Sequence, residues 1–86
     1  MSAEIEMYTG PRCIYCDRAK KLLNQKGLVF KELDINQNPK LKDEMLIRTG
    51  GKKTIPQIFI NKKSIGGFDE LYSLELIGDL DKILGT

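Results

Sequence analysis

Glu4-Ile5-Glu6-Met7-Tyr8-Thr9-Gly10-Pro11-Arg12-Cys13-Ile14-Tyr15-Cys16-Asp17-Arg18-Ala19 reads as a strand that turns into a helix, with two cysteines at the junction. Apolar and polar residues alternate over residues 3–9, with Ile5 and Met7 on one face, which is the period of a strand. Gly10-Pro11-Arg12 breaks that pattern. From Ile14 to about Lys26 the apolar residues Tyr15, Ala19, Leu22 and Leu23 recur at three and four positions, as on a helix, and Gly27 suits its C-terminal stop.

The elements keep alternating downstream. Residues 28–34, with Leu28, Val29, Phe30 and Leu33 and then Ile35, predict a second strand buried on both faces. Asn38-Pro39 opens a helix, Asn as cap and Pro at the first helical position, that runs to about Thr49 with Leu41, Met45 and Leu46 inward. Gly50-Gly51 ends it. Ile55-Pro56-Gln57-Ile58-Phe59-Ile60 is a strand whose proline sits at its start, where a missing N–H is tolerated. Asn61-Lys62-Lys63 turns tightly into a short strand at Ser64-Ile65. A last helix runs from about Asp69, is interrupted near Gly78 and resumes to Leu84. The order β-α-β-α-β-β-α predicts an α/β fold with a four-stranded mixed sheet and helices on both faces. Strands joined through helices are expected to pair parallel, and the hairpin to add an antiparallel strand.

The chain has 86 residues, enough for a single domain over residues 1–86, and 41% of them are apolar, enough for a modest core. Its net charge of +2, with both signs interspersed, leaves no footprint for nucleic acid. The N-terminus carries acidic residues and no apolar run of the kind that opens a secretory signal. No stretch approaches the length that spans a membrane. With no His and two Cys, the chain cannot build a four-ligand zinc site alone, so no metal ligands are assigned.

A bridge between cysteines three positions apart closes a short loop and removes little unfolded-state entropy, so the pair makes a poor staple. Reactivity explains it better, in a reducing compartment such as the cytoplasm. The thiolate is the attacking species, and a sulfur just ahead of a helix is stabilised as an anion by the free N–H groups of the first turn and by the helix dipole. Arg12 adds a neighbouring cation, while Asp17 opposes it mildly. Cys13 is therefore expected to attack and Cys16, one turn on, to resolve. Against this stand two plainer readings: a pair of small buried hydrophobes, and half of a metal site completed from outside the chain.

Three ordered motifs, Cys13-Ile14-Tyr15-Cys16, Thr54-Ile55-Pro56 and Gly66-Gly67-Phe68-Asp69, together with the run Pro56-Gln57-Ile58-Phe59-Ile60, make nearly the whole chain resemble the glutaredoxins. These are small members of the thioredoxin-fold superfamily. The resemblance implies a cis Ile55-Pro56 bond, with the backbone groups of Ile55 open to an incoming peptide. It implies that Gly67, Phe68 and Asp69 hold the γ-glutamyl end of glutathione, the N–H groups meeting its carboxylate and the Asp69 side chain its ammonium. A hairpin exit with Asp69 as helix cap fits the same residues. Tyr15 would line the groove beside the sulfur, or else be a half-buried aromatic of the first helix. Arg12, Thr54, Ile55 and Pro56 complete the expected glutathione set.

What the resemblance implies for function is glutathione-dependent reduction of protein disulfides and of protein–glutathione mixed disulfides by a monomer. Glutathione is the cosubstrate, and no cofactor is permanently bound. Three positions depart from the family: Ile14 replaces the usual proline, Gly10 the usual lysine that meets the glycyl carboxylate, and the loop Gly50-Gly51-Lys52-Lys53 is one residue longer than usual. Arg12, Lys52 or Lys53 are the candidate replacement cations. Ile14 also keeps open an alternative of another class, an iron–sulfur carrier in which a [2Fe–2S] cluster is bridged between two subunits by Cys13 of each and two glutathione thiols.

Overall fold

Tyr8 and Met7 are both fully buried although they point to opposite faces of a strand, so that strand has to be central, covered on both sides. A computed structural model, which describes residues 3–85, places it so. The expected domain of residues 1–86 thus has its first two residues and its last outside the described set. Strand β1 (Ile5–Thr9) lies between β2 (Lys31–Asp34) and β3 (Gln57–Ile60), and β4 (Lys63–Gly66) completes the order β2-β1-β3-β4. Ile5 and Met7 join Ile58 and Ile60 on one face, under helices α1 (Ile14–Gln25), α3 (Phe68–Leu76) and α4 (Asp79–Leu84) through Ala19, Leu23, Leu71, Leu80 and Leu84. On the other face Tyr8 and Phe59 pack with Met45 of α2 (Pro39–Thr49).

The helix ends follow the chemistry of their residues. Asn38 caps α2 by accepting the Lys40 N–H at 3.1 Å, with Pro39 in the first turn. Asn61 and Lys62 both take positive φ, 51° and 69°, the two-residue turn that matches strand twist between β3 and β4. On α1 the buried residues are Cys16, Ala19 and Leu23, and Tyr15 stands outside that face. The Lys26 ammonium pairs with Glu75 at 2.9 Å and Asp81 at 2.8 Å, tying α3 and α4 to the end of α1.

Two expectations are corrected. Residues 28–34 are not a strand buried on both faces: β2 spans only Lys31–Asp34, Lys31 and Glu32 are exposed, and Val29 is 88% exposed. Apolar content mimicked burial, but β2 is a sheet edge reached through an open loop. Strand pairing differs too. β1 and β2 are parallel, but β3 runs antiparallel to β1, with Tyr8 opposite Gln57 and Ile5 opposite Ile60. The segment after α2 carries the chain back to the end of the sheet where β1 finishes, so β3 starts there and descends. That reversal brings Ile55-Pro56 beside the β1–α1 junction. Boundaries shift modestly elsewhere: α3 begins at Phe68 with Gly67 as its cap, so Asp69 is not the cap, and Gly78, at φ 81°, separates α4 as a helix of its own.

Candidate active site

Three chain segments meet at the end of the sheet where β1 stops. In the first, Arg12 takes a left-handed backbone (φ 55°) that swings Cys13 into the N-cap of α1. There Cys13 Sγ accepts the Cys16 N–H at 3.0 Å, a helix-capping hydrogen bond with sulfur in the place of the usual oxygen. The same N–H, and the first-turn dipole behind it, favour a thiolate at Cys13. The two cysteines are joined as a disulfide with Cα atoms 5.1 Å apart. They are unequal in access: Cys13 is half-buried, while Cys16 is 1% exposed. A disulfide arriving from outside therefore meets Cys13 first.

The second segment is Thr54-Ile55-Pro56, whose Ile55-Pro56 bond is cis, as the resemblance implies. Cys13 Sγ lies 3.7 Å from the Ile55 carbonyl oxygen, a van der Waals contact in the disulfide because the sulfur carries no hydrogen. The third segment is the turn into α3. Gly66 sits at φ 114°, a backbone that favours glycine, and a Cβ there would fall 2.6 Å from Glu70 Oε1 and so push the Glu70 side chain from its place. Glu70 reaches back to accept the Gly67 N–H at 3.0 Å. Phe68 and Asp69, in the first turn of α3, have no intrahelical acceptor for their N–H groups.

Between the segments lies a groove of about 410 Å³. Of the expected residues it gathers Tyr15, Thr54, Ile55, Pro56, Gly67, Phe68 and Asp69, and it adds Lys52, Gln57 and Glu70. Tyr15 is 53% exposed and therefore belongs to the groove rather than to the core. Its ring is 6.2 Å from Phe68 and has the Arg18 guanidinium 5.3 Å away, which steadies it over the opening. Arg12, exposed beside Cys13, does not line the groove, and neither do the two cysteines; Cys13 borders it through the contact of its Sγ with the Ile55 carbonyl. Of the candidate cations only Lys52 lines it.

Gly10 has a steric explanation. A Cβ at that position would lie 2.7 Å from Ile55 Cδ1, so a side chain at 10 requires the end of Ile55 to shift. Glu70 and Gln57 escaped the sequence reading. The spacing Gly67-x-x-Glu70 is that of a capping box and was there to be read. Nothing in the alternation of β3 marked Gln57. Among the described residues no group of three or more Cys, His, Asp or Glu is placed to hold a metal ion, so a cluster would have to draw its remaining ligands from outside the chain.

The comparisons with known proteins agree with this geometry. The family model described as Glutaredoxin matches residues 5–65. Glutaredoxin 3 of Escherichia coli strain K12 is 49% identical over 82 residues, covering 95% of this chain and 98% of that protein. Glutaredoxin 1 of Rickettsia typhi is 42% identical over 83 residues, covering 95% and 80%. The solution structure of glutaredoxin from Brucella melitensis superposes with a TM-score of 0.82 at 47% identity, over 96% of this chain and 89% of that one. A crystal structure of a buckwheat glutaredoxin–glutathione complex gives 0.86 at 29% identity, over 96% and 77%. With a cis proline and a glycine turn lining one groove and the cysteine pair beside it, this chain belongs to the glutaredoxin family.

Proposed function

We propose that Cys13 is the attacking thiolate and Cys16 the resolving thiol of a glutathione-dependent disulfide oxidoreductase, and that the groove beside them holds glutathione. The observation that carries this is the contrast in access at the start of α1: a half-buried sulfur at the helix cap, with a 1% exposed one behind it. The activity is that of the family to which the chain belongs. Glutathione in the groove is supported by the relative solved as its complex. Its γ-glutamyl carboxylate would meet the Phe68 and Asp69 N–H groups, its ammonium Asp69, its cysteinyl backbone Ile55, and its glycyl carboxylate Lys52.

Cys13 thiolate attacks the glutathione sulfur of a protein–glutathione mixed disulfide. The Cys13–glutathione bond forms, the old S–S bond breaks, and the protein thiolate leaves to take a proton. A second glutathione thiolate then attacks that adduct, releasing glutathione disulfide and restoring Cys13. With a protein disulfide, Cys13 forms the mixed disulfide and Cys16 attacks it. The Cys16 proton goes to the departing thiolate, the reduced protein leaves, and a Cys13–Cys16 bridge remains, the state the structure holds. Two glutathiones reduce the bridge.

The same reading has a single domain over residues 1–86 acting as a monomer, and a reducing compartment such as the cytoplasm, since two cysteines this close serve exchange rather than scaffolding. Among the described residues no helix is long and apolar enough to cross a membrane. The test is turnover of a small mixed disulfide with glutathione. Activity should vanish in Cys13→Ser and largely persist in Cys16→Ser, and full activity in Cys13→Ser would overturn the assignment. The iron–sulfur alternative is separated by anaerobic reconstitution with iron, sulfide and glutathione: a coloured dimer supports it, a colourless monomer does not.

A further inference from the structure

We propose that Gln57 is the positioning residue that fixes the Thr54-Ile55 edge of the groove in its ligand-binding conformation. The proposal rests on the groove being the glutathione site. Gln57 is 2% exposed and opens β3 directly after the cis bond, held by its pairing with Tyr8 in the middle of the sheet. Its Nε2 donates two hydrogen bonds, both to one residue: Thr54 O at 3.0 Å and Thr54 Oγ1 at 3.1 Å. Its Oε1 is buried and, among the described residues, accepts none.

A buried amide with an unsatisfied acceptor is a poor way to fill a core, because an apolar side chain of the same length would spare that cost. What Gln57 supplies that such a residue cannot is the pair of bonds to Thr54. Thr54 itself is exposed, as are residues 50–53 before it, and Gly50 and Gly51 take φ of 75° and 104°. Thr49 Oγ1 holds this exposed loop at Lys52, accepting its N–H at 3.0 Å, and the buried Gln57 amide ties its far end at Thr54 to the sheet. Thr54 O is turned inward and engaged, so Ile55 is the residue left to present its backbone to a ligand, with its carbonyl 3.7 Å from Cys13 Sγ. Pre-organising that edge reduces the ordering cost of binding, so its loss should appear in ground-state affinity more than in the sulfur exchange itself.

The variant is Gln57→Met, which keeps the length, removes the donor and removes the orphaned acceptor together. KM for a glutathionylated peptide should rise about three- to tenfold with kcat within about twofold of wild type, and the thermal midpoint should stay level or rise. A residue with a packing role alone would give the reverse, a lowered midpoint with KM unmoved, and that result overturns the proposal. Thr54→Val, at an exposed position, covers the case in which Gln57→Met does not fold. It removes one of the two bonds and should raise KM above that of wild type, and an unchanged KM would count against the tether. If both variants fold, Thr54→Val should add little to Gln57→Met, whereas full additivity would show the two residues acting separately. Titrating wild type with S-methylglutathione while following amide shifts reads the underlying site on its own. No shifts at Gly67 to Asp69 would remove the site and this inference with it, while shifts there with an unmoved Gln57→Met KM would remove this inference alone.

Discussion

At residue scale, one small exchange shapes the groove. The Ile55 side chain lies over Gly10, its Cδ1 2.7 Å from where a Cβ would stand, so a lysine at this position would have to push the end of Ile55 aside. Ile55→Val deletes that terminal methyl. Gly10→Lys alone should displace Ile55 and lower apparent glutathione affinity, while Gly10→Lys with Ile55→Val should raise it above wild type by about three- to tenfold, the scale of one added charge-assisted contact. Titration of both variants with glutathione, read by amide shifts, checks this. An affinity equal in the two would disprove the steric account. The placement of Cys13 at a helix start with Cys16 one turn behind it was legible in the sequence, because spacing and the strand-to-helix switch define it. Gln57 was not, since its role depends on where its side chain turns after the cis bond. The place of Arg12 was not legible for a related reason: adjacency to Cys13 in sequence does not say whether its side chain lines the groove, and it does not.

At the scale of elements, α2 is fastened to the sheet by charge as well as by Met45. Arg48 donates to both carboxylate oxygens of Glu6 on β1, at 2.9 and 3.2 Å, and to Tyr8 Oη at 2.9 Å, while its guanidinium lies 3.9 Å from the Phe59 ring centre. The Arg48 hydrogen bonds hold the Glu6 carboxyl below its ordinary 4.5, outweighing a burial effect that pushes it up. Lys20, with help from Thr9, does the same for Glu32. A lowered native pKa means stability that is complete above 4.5 and is lost as pH falls through the native value. The thermal midpoint should thus hold steady above about pH 5 and drop below it. Glu6→Gln should cost about 1.5–3 kcal/mol at pH 7 and lose less than wild type on acidification, measured by chemical denaturation at both pH values. An acid response identical to wild type would contradict the role given to this pair. The sequence showed α2 and its cap clearly. It did not show this tie, because residues 6 and 48 meet only once the helix crosses the sheet.

At the scale of the molecule, the sheet order decides the site. Had β3 paired parallel, as helix-linked strands were expected to, Ile55-Pro56 would lie at the far end of the sheet from Cys13. Antiparallel pairing of β1 with β3 puts Gln57 opposite Tyr8, and so sets the cis bond next to the cysteine turn, with the β4–α3 turn alongside. Sequence supplied the order of elements but not this reversal, which depends on how residues 50–56 return the chain. Local signals thus named the motifs, and only the tertiary path explained why they act as one site. The central claim, that this end of the sheet arms Cys13 while shielding Cys16, is tested most directly by adding glutathione disulfide to Cys16→Ser and Cys13→Ser and following intact mass over time. Cys16→Ser should take up one glutathione per chain, removable by added glutathione, and Cys13→Ser should react about 100-fold more slowly or not at all, as a buried thiol without helix-cap stabilisation would. Equal rates in the two variants would contradict the account.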